Sequence, residues 1–321
     1  AENNTAAVTT VTSTDGDGTS TASYSISGGI DAADFSINSS SGVLTFASTP
    51  NYESADDDGT NNEYIVIVQV SDGSNTDTQT ITVTVTDVNE FTPVITSNSG
   101  GSTASISFAE NNTAAVTTVT SSDEDGDTRT YTKSGTDAGV FNIDGTSGVL
   151  TFASTPNYEI PTDADGNNTY IIIVTATDNG SGSLTDTQTI TITVTDVNEV
   201  PTDISLSSTS VNENESSGTT VGALSSTDVD AGDSHTYTLV SGSGSTDNSS
   251  FAISGSNLQT AASFNFESQS SYNIRIRTTD NGTGTLYYEE AITITITDVN
   301  EVPTDISLSS TSVNENESSG T

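Results

Sequence analysis

The tetrapeptide Asp-Val-Asn-Glu occurs three times in this chain, and each copy closes a run of alternating apolar and threonine residues. In the last run, residues 291–297, every second residue is isoleucine and the next is threonine. A two-residue period is that of a β-strand with one buried face. The acidic tetrapeptide therefore marks the place where a strand leaves its sheet. The three copies span 87–90, 196–199 and 298–301.

A proline follows each tetrapeptide within a few residues, at Pro93, Pro201 and Pro303. Proline lacks a backbone N–H group and has a fixed φ, so these positions predict short, stiff junctions between modules. The tetrapeptides begin 109 and 102 residues apart, which is an ordinary size for a sandwich domain. We therefore expect one repeat at 1–91 that lacks its first strand, complete repeats at 92–200 and 201–302, and the first strand of a further repeat at 303–321.

Residues 301–321 are identical to residues 199–219. Identity over such a length is typical of a tandem array, so we expect the chain to be part of a longer protein. Any export or anchoring segment would then lie elsewhere in that protein.

The charge of the chain excludes several classes of partner. It has 44 Asp and Glu against 4 Lys and Arg, a net charge of -40. Nucleic acid is excluded because its binding needs basic residues, and an anionic membrane surface is disfavoured for the same reason. The chain has no cysteine, so disulfides and thiolate metal sites are excluded as well. Clustered carboxylates in such a chain suggest that metal ions act as its cross-links.

Short strands between Gly, Ser, Asn and Asp turns predict an all-β sandwich. In the third repeat the alternation places Tyr272, Ile274 and Ile276 inside, with Asn273, Arg275 and Arg277 outside. The strands predicted there are 204–206, 219–225, 235–240, 251–254, 257–259, 272–279 and 291–297.

Four further acidic signatures recur in order in every repeat. A Glu-Asn pair comes early, at Glu2, Glu110, Glu213 and Glu315. An Asp-x-Asp loop follows, with Asp15 and Asp17, Asp123 and Asp125, and Asp228 and Asp230. An aromatic residue precedes Glu53, Glu159 and Glu267, and a strand ends at Asp72, Asp178 and Asp280. A single Asp-x-Asp loop is usually a solvated turn, but the recurrence of all five signatures favours a metal with oxygen ligands.

This ordered set resembles the calcium-binding signatures of cadherin repeats, in the form found in bacterial cadherin-like tandem arrays. The family pattern corresponds here to Glu110, Asp123 with Asp125, Phe141 through Leu150 to Glu159, Asp178, and Asp196 with Asn198 and Glu199. The resemblance covers essentially the whole chain. It implies tandem Greek-key, seven-stranded β-sandwiches in an extended rod, with Ca²⁺ bound at the junctions by the repeats on both sides and by the linker.

The resemblance implies a ligand set for each junction. The first would use Glu2, Glu53, Asp87, Asn89, Glu90, Asp123, Asp125 and Asp178. The second would use Glu110, Glu159, Asp196, Asn198, Glu199, Asp228, Asp230 and Asp280. For the third, only the upstream and linker ligands are present: Glu213, Glu267, Asp298, Asn300 and Glu301. Calcium accepts six to eight oxygen ligands in irregular geometry, which agrees with such sets.

The chain departs from the family pattern at two places. Asparagine replaces aspartate before each aromatic-Glu pair, at Asn51, Asn157 and Asn265. The linkers continue with Glu and then Phe91, Val200 or Val302, where the family has Asp-Asn. Both changes remove ligands, so we expect two or three ions in each junction.

Several other sequence features could indicate a binding or catalytic site. Acidic inserts at 56–59 and 163–167 resemble a calcium loop but lack its closing Glu, so an extra ion there is an alternative. The lone His235 has no second ligand for zinc.

Paired carboxylates occur in glycosidases, but the chain has no Trp to line a sugar cleft. Outward threonine rows such as 293, 295 and 297 suit a wet strand face and leave carbohydrate binding open, and Asn111, Asn167 and Asn281 begin glycosylation sequons.

We therefore expect a non-enzymatic, calcium-binding array that is extracellular or at the cell surface. Its partners would be calcium and neighbouring repeats, including self-association into fibres. It would serve as a stalk, an adhesin or a surface filament in adhesion or matrix structure. The alternative is a carbohydrate-binding repeat module of a cell-surface protein.

The first prediction concerns shape. Each repeat has its own alternating core, and the linkers are short and contain proline, so in calcium the chain should be an extended rod. Small-angle X-ray scattering should give a radius of gyration well above the roughly 20 Å expected of a globule of this length. A value near that figure would contradict the rod.

Overall fold

A computed structural model describes residues 1–16, 18, 21–312, 314–316 and 318. The predicted loop residue Asp17 and part of the predicted strand 303–321 lie outside these residues. The chain divides into two compact units, Ala1–Thr195 and Asp196–Thr321. The first unit contains two sandwiches and the second contains one. The helical turns among the described residues are short, and no helix there has the length and apolarity to cross a membrane.

The first repeat has two three-stranded sheets, ordered β1-β4-β3 and β2-β5-β6. Its strands are Thr9–Thr10 (β1), Ser23–Gly28 (β2), Phe35–Ile37 (β3), Val43–Phe46 (β4), Glu63–Ser71 (β5) and Thr76–Thr84 (β6), with a 3-10 turn at Ala32–Asp34. The core between the sheets includes Leu44, Tyr64 and Val66.

The second repeat has strands at Val94–Ile95 (β7), Thr103–Ala109 (β8), Thr117–Thr118 (β9), Ser121–Ser122 (β10), Arg129–Ser134 (β11), Phe141–Ile143 (β12), Val149–Phe152 (β13), Thr169–Asp178 (β14) and Thr185–Thr195 (β15), with 3-10 turns at Asn98–Gly100 and Ala138–Val140. The main sheet is β11-β14-β15-β8, in which β8 and β15 are parallel. It packs on β12-β13-β9 and the pair β10-β7. This arrangement is a Greek-key sandwich.

The third repeat has strands at Asp203–Leu206 (β16), Ser210–Asn212 (β17), Thr220–Thr227 (β18), Thr236–Leu239 (β19), Phe251–Ser254 (β20), Asn257–Thr260 (β21), Ser271–Thr279 (β22) and Tyr287–Thr297 (β23), with a 3-10 turn at Asn248–Ser250. Its sheets are β16-β18-β21-β20 and β17-β23-β22-β19. The seven predicted strands are present with shifted ends. The short strand β17, parallel to β23, was missed.

The alternation of apolar and polar residues along the long strands matches the alternation of buried and exposed side chains. Ile274 and Ile276 are fully buried, and Tyr272 packs against the same core, whereas Asn273 is exposed. In the second repeat Tyr170, Ile172, Val174 and Ala176 are all fully buried on β14. The side-chain period of two therefore identifies the core face of each long strand.

An aromatic cluster recurs in every core. In the second repeat the ring centroids of Phe141 and Phe152 are 4.4 Å apart, and Tyr170 meets Phe152 edge-on at 5.2 Å. In the third repeat Thr260 occupies the position of Phe152. Phe264, four residues later, restores the contact with a centroid 5.3 Å from that of Phe251. The aromatic cluster is thus retained, although the ring of Phe264 lies beyond the end of β21.

The hairpin between β12 and β13 requires a glycine. Gly148 has φ 71°, in the left-handed region, and a Cβ there would lie 2.0 Å from the Val119 carbonyl oxygen. Only glycine fits such a close approach. This explains the Ser-Gly-Val-Leu-Thr-Phe sequence of the first two repeats.

The second prediction tests the core. Ile192→Ala removes a fully buried side chain from β15 and should lower the free energy of unfolding of the second repeat by about 2–5 kcal/mol. Thr193→Ala, one residue on and exposed, should change it by no more than about 0.5 kcal/mol. Urea unfolding followed by NMR signals of this repeat measures both. Equal effects of the two substitutions would mean that the inward and outward faces are assigned wrongly.

Candidate metal centre

A buried glutamate at the start of each repeat ties two chain segments together. Glu2 is 2% exposed; its Oε2 accepts the Tyr52 N–H at 2.7 Å and its Oε1 accepts the Val88 N–H at 2.9 Å. Glu213 makes the equivalent bonds, both 2.9 Å, with Phe266 and Val299. These N–H groups lower the pKa of Glu213. Glu110 likewise accepts the Tyr158 N–H at 2.8 Å. In the first and third repeats the early glutamate thus holds the aromatic-Glu loop beside the linker.

The first junction contains two overlapping groups of carboxylates. Glu2, Asp87 and Glu90 form one, and Glu53, Glu90 and Asp125 form the other; within each group the ligand oxygens lie within 4.8 Å of one another. Oxygens bound to one calcium ion at 2.3–2.6 Å cannot be farther apart than about 5 Å. Each group therefore has the spacing that a calcium ion requires, and Glu90 belongs to both.

The second repeat supplies the other side of this junction. Asp125 Oδ2 accepts the Phe91 N–H at 2.9 Å, and Asp123 Oδ1 accepts the Asp125 N–H at 3.1 Å. The linker residue Asn89 donates from Nδ2 to Asp178 Oδ1 at 3.3 Å and to the Ser181 carbonyl at 3.0 Å. Six of the eight residues expected at the first junction therefore lie in these two groups or bond directly to a member, and the other two, Asn89 and Asp178, bond to each other.

The electrostatics of this junction call for a cation. The pKa of Glu53 is raised from its ordinary 4.5 to about 7, mainly by burial and also by the negative charges of Glu2, Glu90 and Asp87. Burial also raises the pKa values of Asp87, Glu90 and Asp123, with the neighbouring carboxylates adding to the effect. Several shielded oxygens have no hydrogen-bond partner among the described residues: both Oε atoms of Glu53, Asp123 Oδ2, Asp125 Oδ1, Asp178 Oδ2 and Asn89 Oδ1. Such oxygens fit metal coordination.

The linker contacts recur in the second unit. Asp230 Oδ2 accepts the Glu199 N–H at 2.8 Å, and Asn198 Nδ2 donates to Asp280 Oδ2 at 3.3 Å and to the Thr283 carbonyl at 3.1 Å. Asn198 is therefore held by Asp280 as Asn89 is by Asp178, whereas Asp230 accepts the N–H of the linker glutamate itself and Asp125 that of the residue after it.

At the end of the third repeat, Glu213, Glu267 and Asp298 form another group within 4.8 Å. Asn214 Nδ2 donates to Glu301 Oε1 at 2.7 Å, as Asn3 Nδ2 does to Glu90 Oε1. Asn300 is exposed. In the first and third repeats the asparagine after the early glutamate thus orients the last linker carboxylate.

Two aspartates beside the clusters were missed. Asp127 raises the pKa values of Asp87 and Asp123, and Asp233 lies within 4.8 Å of Asp228 and Asp230. Both follow a glycine after the Asp-x-Asp pair. The available signal was this extra aspartate, in Asp-x-Asp-Gly-Asp of the second repeat and Asp-x-Asp-Ala-Gly-Asp of the third, and only the fold of the loop brings it to the cluster.

The departures from the family pattern have a structural role. The side-chain oxygens of Asn157 and Asn265 accept the N–H groups of Ile160, at 2.6 Å, and Ser268, at 2.8 Å. Asn51 makes the same bond with Ser54. These side-chain oxygens close a turn in each repeat.

The acidic inserts bind their own backbone. Asp57 is 2% exposed and accepts the N–H groups of Gly59, Asn61 and Asn62. Asp163 accepts those of Asn167 and Asn168. Among the described residues the insert forms no group of three metal-ligating side chains. Intraloop hydrogen bonds therefore account for these carboxylates, and an extra ion there is not supported.

His235 lies just before β19 and contacts Asp228, a member of the acidic cluster with Asp230 and Asp233. Its Nε2 is 3.0 Å from Asp228 Oδ2. The imidazole thus belongs to the surroundings of the acidic cluster.

Comparison with known proteins identifies the family. The cadherin domain profile matches residues 1–86, 104–195 and 207–297. The chain belongs to the cadherin family. No curated protein matches it. Calcium binding is typical of cadherin repeats, which are structural adhesion modules and not enzymes.

Solved cadherin structures share the fold. Human CDH23 EC21-23 aligns with a TM-score of 0.63 at 22% identity, covering 90% of this chain and 93% of that one. Mouse Cadherin-23 EC22-24 gives 0.55 at 22% identity, with coverages of 93% and 94%. Drosophila N-cadherin EC1-4 gives 0.51 at 19% identity, with coverages of 92% and 72%. At these identities the likeness establishes the fold.

The third prediction concerns Glu53 in the metal-free protein. Its raised pKa means that the folded junction favours the protonated carboxyl. This contribution to stability is present below the ordinary pKa near 4.5 and is lost as the pH rises through about 7. Carboxyl-carbon NMR should show Glu53 titrating near 7 and Glu213 below its ordinary value. Ordinary titration of both residues would contradict this electrostatic description.

Proposed function

We propose that the junction carboxylates bind calcium and that the bound ions stiffen the array. The unpartnered, shielded oxygens at the first junction carry this proposal. The proposed ligands there are Glu2, Glu53, Asp87, Asn89, Glu90, Asp123, Asp125 and Asp178, with Asp127 beside them. The corresponding residues of the later junctions would act in the same way.

Charge explains why the ion is needed. The first junction gathers seven carboxylates from the early glutamate, the aromatic-Glu pair, the linker and the second repeat. Two like charges about 4 Å apart repel by roughly 1 kcal/mol in water and about 4 kcal/mol at an effective dielectric of 20. Two or three calcium ions would offset most of this charge. Each sandwich core lies away from the junction and should remain folded without the metal.

The affinity expected for calcium is sufficient for the bound ions to stiffen the junctions. Extracellular calcium modules typically bind at about 0.1–1 mM, and free calcium tenfold above the dissociation constant adds roughly 1.4 kcal/mol per independent site. That free energy is sufficient to fix a hinge and small compared with the stability of a domain.

We further propose that the array works outside the cell or at its surface. Repeats of this family occur in extracellular adhesion proteins, which supports a stalk that projects a binding domain or an adhesive surface filament. A filament would additionally require contacts between copies. Assembly of the isolated chain into fibres in calcium would favour the filament over the stalk.

The fourth prediction tests calcium with Glu90→Gln, which alters the carboxylate common to both groups. Calcium affinity at the first junction should fall about tenfold or more, equivalent to at least about 1.4 kcal/mol. Isothermal titration calorimetry measures it. Glu63→Gln, an exposed glutamate on β5 of the same repeat, is the matched control and should bind as the unaltered chain does.

Removal of calcium gives a second readout. Chelation should increase protease cutting near Asn89 and Asn198, while the circular dichroism of the strands stays nearly constant. Cutting that is the same with calcium and with chelator, together with no calorimetric binding, would exclude calcium-stiffened junctions.

A further inference from the structure

Two Asn-Gly pairs lie in the hairpin loops at the metal sites. Asn179-Gly180 follows Asp178, and Asn281-Gly282 follows Asp280; the sequence has no other Asn-Gly. In such a pair the glycine nitrogen attacks the asparagine side chain with little hindrance, because glycine has no Cβ. Asn-Gly is therefore the pair most prone to spontaneous deamidation. Both asparagines are exposed, so water reaches them.

The packing of the linker requires these glycines. A Cβ on Gly180 would lie 2.1 Å from Asp127 Oδ2 and 2.4 Å from Asn89 Cγ. A Cβ on Gly282 would lie 1.8 Å from Asn198 Oδ1. Any other residue would displace the linker asparagine. The reactive pair is thus a consequence of the junction geometry.

Hydrogen bonds of the closed loop restrain both reacting groups. The Gly180 N–H donates to Asp178 Oδ1 at 3.1 Å. Asn179 Oδ1 accepts the Thr128 N–H at 2.7 Å and the Thr128 hydroxyl at 2.8 Å. Ring closure needs a deprotonated glycine nitrogen that turns towards the side-chain carbonyl. These contacts oppose both steps.

The third repeat has the same arrangement with fewer contacts. The Gly282 N–H donates to Asp280 Oδ1 at 3.1 Å, and Asn281 Oδ1 accepts the Ser234 N–H at 2.7 Å. The hydroxyl bond that Thr128 makes to Asn179 has no counterpart from Ser234 among the described contacts. Asn281 is therefore held less firmly than Asn179.

We propose that Asn179 and Asn281 are deamidation sites whose reaction the closed loop holds back. The glycine nitrogen forms a bond to Cγ of the asparagine, the Cγ–Nδ2 bond breaks, and ammonia leaves. Water then opens the succinimide at either carbonyl, giving aspartate or isoaspartate. Isoaspartate adds a methylene group to the backbone and moves the glycine away from the linker asparagine, and either product adds a negative charge. The reaction would thus loosen a junction irreversibly.

Deamidation at Asn179 and Asn281 does not depend on the proposed function. The effect of calcium on its rate does rest on that function. We would incubate the full chain at mildly alkaline pH with calcium, with chelator and in urea, and measure isoaspartate by peptide mapping. The expected order of rates at both asparagines is slowest in calcium, faster in chelator and fastest in urea. In urea both should react well ahead of Asn75, which precedes Thr76.

Two results would overturn the proposal: native rates equal to those in urea, or rates in urea no higher than that of Asn75. Equal rates in calcium and in chelator, both below the rate in urea, would uphold restraint by the loop and count against the calcium function instead.

Substitutions at Thr128 test the restraint directly. Thr128→Val removes the hydroxyl donor and retains the branched shape, so Asn179 should deamidate several-fold faster while Asn281 in the same molecule is unchanged. Thr128→Ser retains the hydroxyl and should react as the unaltered chain does. If Thr128→Val leaves the rate at Asn179 as it was, the hydroxyl bond is not the restraint and that part of the proposal is wrong.

Discussion

The mutual repulsion of its carboxylates is the interaction that the first junction has to offset. The chain has four basic residues, and they are used elsewhere: Arg275 and Arg277 bind Glu289, Lys133 donates to the Ala138 carbonyl, and Arg129 donates to backbone carbonyls. Among the described residues, no lysine or arginine forms an ion pair with the carboxylates of the first junction. Burial of several of these acids then raises their pKa values, because no protein cation offsets the charge.

The repeats separate the tasks of folding and joining. Within a sandwich, apolar side chains from the two sheets form a core that needs no ion. At the junction, backbone N–H groups orient the acids: Glu2 holds Tyr52 and the linker residue Val88, and Asp125 holds Phe91. One oxygen of a carboxylate is often fixed by a backbone hydrogen bond while the other remains for a ligand, as in Asp125 and Asp178. Backbone hydrogen bonds within the chain therefore set much of the geometry of the site.

Close packing at the junction also limits what the sequence can contain. Asn89 and Asn198 insert beside Gly180 and Gly282, and a Cβ at either glycine would require the linker asparagine to move. The glycines that permit the linker contact also create the two reactive Asn-Gly pairs. The packing thus places an Asn-Gly pair, proposed to deamidate, next to the proposed ligands. Hydrogen bonds from Thr128 and Ser234 restrain the asparagine of each pair.

The sequence by itself determined the all-β class, the three repeats, the inward face of the long strands and most of the acidic residues that cluster at the first junction. Period-two alternation and recurring spacing are local properties, and they survive in any fold that buries one face of a strand. Tertiary structure alone decided the rest. The strand Ser210–Asn212 is too short to show a period, and its parallel pairing with β23 defines it. Asp127 and Phe264 reach their clusters through the course of a loop. Which carboxylate oxygens lack partners depends on where distant N–H groups lie, and no local pattern records that.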